Sequence, residues 1–129
     1  MLKLLVIDDE VDICDFVMNF FKERNFEVLV AYNGKDAVSL VKSGSPDVAL
    51  LDITMPVMDG IETLKQIRKV NGSIKVIMVT AVDDSEKAEE ARRHGVFDYI
   101  TKPLLLEQLE QIVLMAAGQR PKEGYAARR

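Results

Sequence analysis

This 129-residue chain has no tryptophan, a lone cysteine, a lone histidine and only four prolines. Cys14 has no partner for an internal disulfide. With apolar neighbours at helical spacing and Asp12 and Asp15 close in sequence, it reads as a small buried hydrophobe, because a redox thiol needs an exposed, electropositive setting. His94 stands just before Gly95 at an expected helix end, so it reads as a surface residue suited to the helix dipole and not as a metal ligand. Long hydrophobic runs are missing as well. No segment approaches the roughly 20 apolar residues that span a bilayer, and Met1-Leu2-Lys3-Leu4 leads straight into a strand-like run instead of a signal peptide. The chain therefore reads as cytoplasmic, with no membrane partner. Excess positive charge is lacking too: the formal net charge is -4, and Lys and Arg are scattered among acids, which argues against direct nucleic-acid binding.

What is present suits one domain with its own core. Leu4-Leu5-Val6-Ile7, Val28-Leu29-Val30, Val48-Ala49-Leu50-Leu51 and Val76-Ile77-Met78-Val79 are unbroken apolar runs, the pattern of strands covered on both faces. A weaker fifth run precedes Lys102. Segments of helical period lie between them: Ile13, Phe16, Val17, Phe20 and Phe21; Ala37, Val38, Leu40 and Val41; Ile61, Leu64 and Ile67. Asp9, Asn33, Asp59 and Asp84 stand where N-cap oxygens are wanted, and Gly44, Gly72 and Gly95 fall near helix ends. The fourth helix offers only Ala88 and Ala91 as an apolar face, whereas Leu106, Leu109, Ile112, Val113 and Ala116 anchor the last; the fourth should be the loosest. Five strand-helix repeats predict an α/β protein: a doubly wound five-stranded parallel sheet with right-handed crossovers, and the flavodoxin-like strand order 2-1-3-4-5 suits so short a chain. Residues 1–117 form the expected domain, and residues 118–129 a polar tail or the beginning of a linker.

In such a sheet, ligands bind outside the carboxyl ends of the strands where the order reverses. Asp8-Asp9, Asp52, Thr80 and Lys102 each follow or end one of those runs. Three carboxylates in one crevice repel unless a proton or a cation intervenes. Mg²⁺ prefers oxygen ligands and usually takes one or two carboxylates with waters and phosphate oxygens; Asp8, Asp9 and Asp52 supply such a set, and the backbone carbonyl of Thr54 can add a ligand. Asp52 ends the central strand and is the candidate nucleophile, since a carboxylate attacking phosphorus yields an acyl phosphate. Negative charge gathering on the transferred group could be stabilised by Mg²⁺, the Lys102 ammonium and the Thr80 hydroxyl. A cis bond between Lys102 and Pro103 is one way to aim that ammonium inward.

Ile7-Asp8-Asp9-Glu10, Leu51-Asp52-Ile53-Thr54-Met55-Pro56-Val57-Met58-Asp59-Gly60, Val79-Thr80-Ala81 and Tyr99-Ile100-Thr101-Lys102-Pro103 resemble the receiver domain of two-component response regulators, in order, over about residues 1 to 117. The resemblance implies a phosphorylation-dependent signalling switch, not an enzyme beyond its own phosphorylation and slow dephosphorylation. Asp52 would be phosphorylated by a sensor histidine kinase or histidine phosphotransfer protein, with Mg²⁺ held by the acidic pair and Asp52. It further implies that Thr80 and Tyr99 form the switch pair, and that the face of helix 4, strand 5 and helix 5 is remodelled to control an output domain or partner protein. Dimerisation through that face in the phosphorylated form is allowed by the same resemblance, and helix 1, with Asp12, Asp15, Asn19 and Lys22, is where the family usually reads its kinase. Chemotaxis-type receivers carry an amide two residues after the acceptor and an acid two after the switch threonine; here Thr54 and Val82 stand there, so slow hydrolysis is expected.

Plainer roles stand beside these. Asp9 could cap helix 1, Asp59 is fully explained as the cap of helix 3, Tyr99 could be half-buried packing, and Met55, Met58 and Met78 read as core filler. An alternative function is a haloacid-dehalogenase-like phosphatase, which also uses an aspartyl nucleophile, Mg²⁺, Thr and Lys. That family shows Asp-x-Asp at the nucleophile, and Asp52-Ile53-Thr54 lacks the second acid. A flavodoxin-like binding module is a second alternative, opposed by Asp8-Asp9-Glu10, which would repel a phosphate in the first loop unless a metal intervened.

Overall fold

The computed structural model describes residues 1–81 and 85–119. Asp84 as a cap, Val82 beside the site and the tail from 120 onward lie outside the described residues. Strands β1 (Lys3–Ile7), β2 (Glu27–Ala31), β3 (Val48–Asp52), β4 (Lys75–Thr80) and β5 (Asp98–Thr101) alternate with helices α1 (Val11–Lys22), α2 (Gly34–Gly44), α3 (Gly60–Val70), α4 (Ser85–Arg93) and α5 (Leu106–Ala116). All pairings are parallel, in the order β2-β1-β3-β4-β5. The expected fold and strand order are those observed. No helix among the described residues is long and apolar enough to cross a membrane.

Successive strand side chains point to opposite faces, and the unbroken apolar runs therefore feed two cores. Leu5, Ile7, Ala49, Leu51, Val76 and Met78 pack with Ala37 and Val41 of α2, Leu64 and Ile67 of α3 and Ala91 of α4. Leu4, Val6, Val48, Leu50, Ile77 and Val79 pack with Cys14, Val17 and Phe21 of α1 and Leu109, Ile112 and Val113 of α5. Register places Ile7 beside Leu51 and Asp52 beside Val79, so β1 and β3 end side by side at the centre of the sheet.

Two local expectations are corrected. Phe16 is not on the buried face of α1: it is 59% exposed, because Cys14, Val17 and Phe21 form the stripe against the sheet and Phe16 projects well away from it. Asp9 does not cap α1 either. The N-cap is Glu10, without a side-chain bond, and the Glu10 N–H donates instead to Oδ1 of Asp8 at 3.0 Å. The other local chemistry is as read: Asn33 accepts from the Asp36 N–H at 2.8 Å and Asp59 from the Glu62 N–H at 2.9 Å. Gly95, at φ +77, turns the chain out of α4 in the left-handed region that favours glycine, while Ser45, not Gly44, takes that conformation after α2.

Candidate functional site

The carboxyl ends of β1 and β3 bring Asp8 and Asp52 together, each only 5% exposed, with the exposed Asp9 beside them. One carboxylate oxygen from each of the three lies within 4.8 Å of the others. Backbone bonds fix the row. The Asp8 N–H donates to the Ala31 carbonyl (3.1 Å), the Ile53 N–H to the Val79 carbonyl (3.2 Å) and the Lys102 N–H to the Thr80 carbonyl (2.7 Å), each extending the ladder one step past its strand. Lys102 thus sits where β5 leaves the sheet, and its bond to Pro103 is cis.

The Lys102 ammonium lies 3.4 Å from Oδ2 of Asp8, 3.8 Å from Oε1 of Glu10 and 3.9 Å from Oδ1 of Asp52. Burial works against its charge, but Asp52 and Asp8 outweigh burial and its pKa moves upward. Burial, and next the charge of Asp8, push the Asp52 carboxyl up from 3.8 to about 6, against the pull of Lys102 and a hydrogen bond from the Thr54 backbone. One ammonium therefore does not compensate the crowded acids. Three hard oxygen donors, one of them held well above its ordinary pKa, suit a divalent cation such as Mg²⁺.

Thr80 ends β4, fully buried, and shares a pocket of about 210 Å³ with Ile53, Thr54, Met55, Asp59, Lys87 and the half-buried Tyr99. The pocket joins the crevice side of β3 to the first turns of α4. Cys14 is buried, its thiol 3.3 Å from the Asp8 carbonyl, and burial, followed by the charge of Asp8, pushes its pKa up to about 12. His94 stands away from the crevice, in a cleft with Arg68, Lys75 and Arg93.

Three contributors escaped the sequence reading. Glu10 reaches Lys102 from 92 positions away in the chain, a proximity that only topology reveals. Lys87 reaches the Thr80 pocket from a helix whose sequence carries no sign of it. Gly60 had a signal, the Asp-Gly pair after Met55-Pro56: a Cβ there would meet the Asp52 carbonyl and the Ile53 Cα at 2.4 and 2.5 Å, so α3 starts against the backbone behind Asp52 only because residue 60 has no side chain. The Gly60 N–H donates to the Ile53 carbonyl at 2.9 Å.

Residues 4–114 match the family model of the response regulator receiver domain. The chain is 41% identical over 116 residues to the chemotaxis protein CheY of Listeria monocytogenes, covering 86% of this chain and 98% of that one. It is also 41% identical over 114 residues to the regulatory protein AtoC of Escherichia coli K12, covering 88% of this chain; it spans about a quarter of the length of AtoC, which is 25% covered. The receiver domain of the Francisella response regulator 1452 superposes with a TM-score of 0.84 at 36% identity, over 92% of this chain and 98% of that one. None of these similarities supports the phosphatase alternative. The parallel sheet, the acid crevice at its switch point and the matched sequence converge: the chain belongs to the response regulator receiver domains of two-component systems, phosphoacceptor signalling modules and not enzymes in the ordinary sense.

Proposed function

We propose that Asp52 is the phosphoryl acceptor, and that a histidine kinase or histidine phosphotransfer protein is the donor. The observation that carries this reading is the acid crevice itself, in which Asp8, Asp9 and Asp52 meet and Lys102 bridges Asp8 and Asp52. A carboxylate oxygen of Asp52 attacks phosphorus; an O–P bond forms, the P–N bond to the donor imidazole breaks, and its electron pair leaves on that nitrogen. Lys102 holds positive charge against the transferred group and the buried Thr80 hydroxyl meets it from β4. Asp8, Asp9, Asp52 and the Thr54 carbonyl are the groups that would hold Mg²⁺, which when bound neutralises oxygen charge on the phosphoryl group.

Thr80 and Tyr99, which line one pocket with Lys87 of α4, are the pair through which the phosphorylated site acts on the α4-β5-α5 face. That face addresses an output domain or partner protein, or a second phosphorylated copy. Residues 1–117 are the receiver unit, residues 118–129 a tail or the start of a linker, and the protein is cytoplasmic.

Incubation with acetyl phosphate and Mg²⁺ should add one phosphoryl mass to the chain, and Asp52→Asn or a chelator should abolish it. Equal labelling of Asp52→Asn would overturn the assignment.

A further inference from the structure

The loop that leads from Asp52 into α3 is closed on itself and pressed against a neighbouring helix. At its base the Gly60 N–H donates to the Ile53 carbonyl at 2.9 Å, and Gly60 lies against the Asp52 carbonyl. Within the loop, the Thr54 backbone donates to the Asp52 carboxylate. The first turn of α2 stands on its far side. A Cβ on Gly34 would meet Sδ of Met58 at 2.6 Å and come closer still to Oγ1 of Thr63, so α2 approaches the loop and α3 this closely only because residue 34 has no side chain.

Both walls of that contact are fixed. Asn33 caps α2 by accepting from the Asp36 N–H at 2.8 Å, and Ala37 and Val41 seat the helix in the core with Leu64 and Ile67 of α3. Thr63, fully buried, donates from Oγ1 to the Asp59 carbonyl at 2.8 Å, and Asp59 in turn caps the helix whose first residue is Gly60. A displacement of Thr63 therefore passes through Asp59 and Gly60 to the backbone at Asp52 and Ile53, because a close-packed interior transmits strain. We propose that Gly34 is a positioning residue for the acceptor loop: by admitting Met58 and Thr63 against α2, it sets where the Thr54 backbone stands beside Asp52. The inference rests on the phosphoacceptor reading and its Mg²⁺ site, and extends both to a helix outside the acid crevice. Groups that orient metal ligands from outside typically govern affinity by about 10- to 100-fold.

The test reads the loop twice in the full chain, by amide chemical shifts without metal and by Mg²⁺ titration. Gly34→Ala should move the Ile53 and Thr54 amide signals and weaken Mg²⁺ binding by about tenfold. Thr63→Ala clears space for the new methyl group. Gly34→Ala combined with Thr63→Ala should therefore bind Mg²⁺ within about twofold of Thr63→Ala alone, the non-additivity expected of residues in contact. Val41→Ala loosens α2 away from the contact, so it should lower the melting temperature but hold Mg²⁺ affinity within about twofold of the parent. If Gly34→Ala does not fold, Met58→Ala, which withdraws the loop's side of the contact, should move the same amides and weaken Mg²⁺ binding in the same direction. Unmoved Ile53 and Thr54 amides, an unchanged Mg²⁺ affinity, an equal loss in Val41→Ala or no recovery with Thr63→Ala would each overturn the proposal. A parent chain that binds no Mg²⁺ would instead overturn the metal reading, and Gly34 would then be judged by the amide signals, which must still move in Gly34→Ala and return with Thr63→Ala.

Discussion

Helices α5 and α4 flank the same strand, β5, and are held in opposite ways. Helix α5 buries Leu109, Ile112, Val113 and Ala116 in a core shared with α1, whereas α4 buries two alanines and is retained by Lys65, Arg68 and backbone bonds. At about 1.5–3 kcal/mol for each large apolar side chain, α5 gains several times what α4 does from burial. The difference extends to the carboxyl rim of the sheet, where crowded acids and an unfavourable backbone turn replace apolar packing. Of the two helices beside β5, α5 is thus held chiefly by apolar burial and α4 is the weakly packed one.

The largest effect should come from breaking the well-packed side. Leu109→Ala removes a side chain that is 1% exposed and should cost about 2–5 kcal/mol in urea unfolding. Ala91→Gly in α4, equally buried, should cost only about 1 kcal/mol. Equal losses would show that α4 is held as firmly as α5, and the comparison would fail.

That contrast was legible in the residues. Unbroken runs such as Val48-Ala49-Leu50-Leu51 could only be strands covered on both faces, and the acids and Lys102 were visible because each follows or ends such a run. Caps made by Asn33 and Asp59 were legible because they depend on neighbours three residues away. Phe16 was misread because an apolar stripe on a short helix does not say which of its edges meets the sheet, and Asp9 because the competing acceptor, Asp8, differs by one position. Glu10 and Lys87 were beyond reach, since their contacts cross from one strand end or helix to another.

The rim can be tested next through Asp52. Its folded pKa is raised above the ordinary value, so between about pH 4 and pH 6 the folded chain holds a proton that the unfolded chain has lost. Stability in metal-free buffer should therefore fall as pH rises through that window, and the loss is complete above it, up to about 3 kcal/mol for a shift of about two pH units. Asp52→Asn removes this dependence. With a chelator, the variant should unfold later than the parent at pH 7.5 and together with it near pH 4, and Mg²⁺ should narrow the gap by stabilising the parent. A parent as stable as Asp52→Asn at pH 7.5 without metal would mean that Lys102 already compensates the acids.

A smaller gain should come from Val57, five residues past Asp52. It is fully exposed at φ +68, at the apex of a three-residue turn closed by the Met58 N–H on the Pro56 carbonyl at 2.8 Å. A β-branched residue in the left-handed region costs about 1–2 kcal/mol, and glycine there gives back part of the relief through its freer unfolded chain. Val57→Gly should therefore stabilise by about 0.5–1 kcal/mol, read as a higher urea midpoint at unchanged slope. A lower midpoint would remove this turn from the strained features of the rim.

The smallest effect separates charge from capping at Asp9. Its carboxylate is exposed, yet it shares the cluster with two buried ones, so its repulsion is felt through partly aqueous surroundings and should amount to between a few tenths and about 1 kcal/mol. Asp9→Asn should accordingly raise the melting temperature slightly in chelator and lower the affinity for Mg²⁺, because one hard anionic donor is lost. Salt sharpens the distinction. At about 1 M the screening length falls to about 3 Å, shorter than the 4.8 Å within which the three oxygens lie, so the gain in stability should shrink toward zero as salt is added. A capping role would give the opposite sign in chelator, since asparagine caps about as well as aspartate but without the charge that favours a helix N-terminus. A destabilised Asp9→Asn in chelator would show that the exposed Asp9 carboxylate is not measurably repelled by its neighbours, and only Asp8 and Asp52 would then carry the repulsion in the crevice.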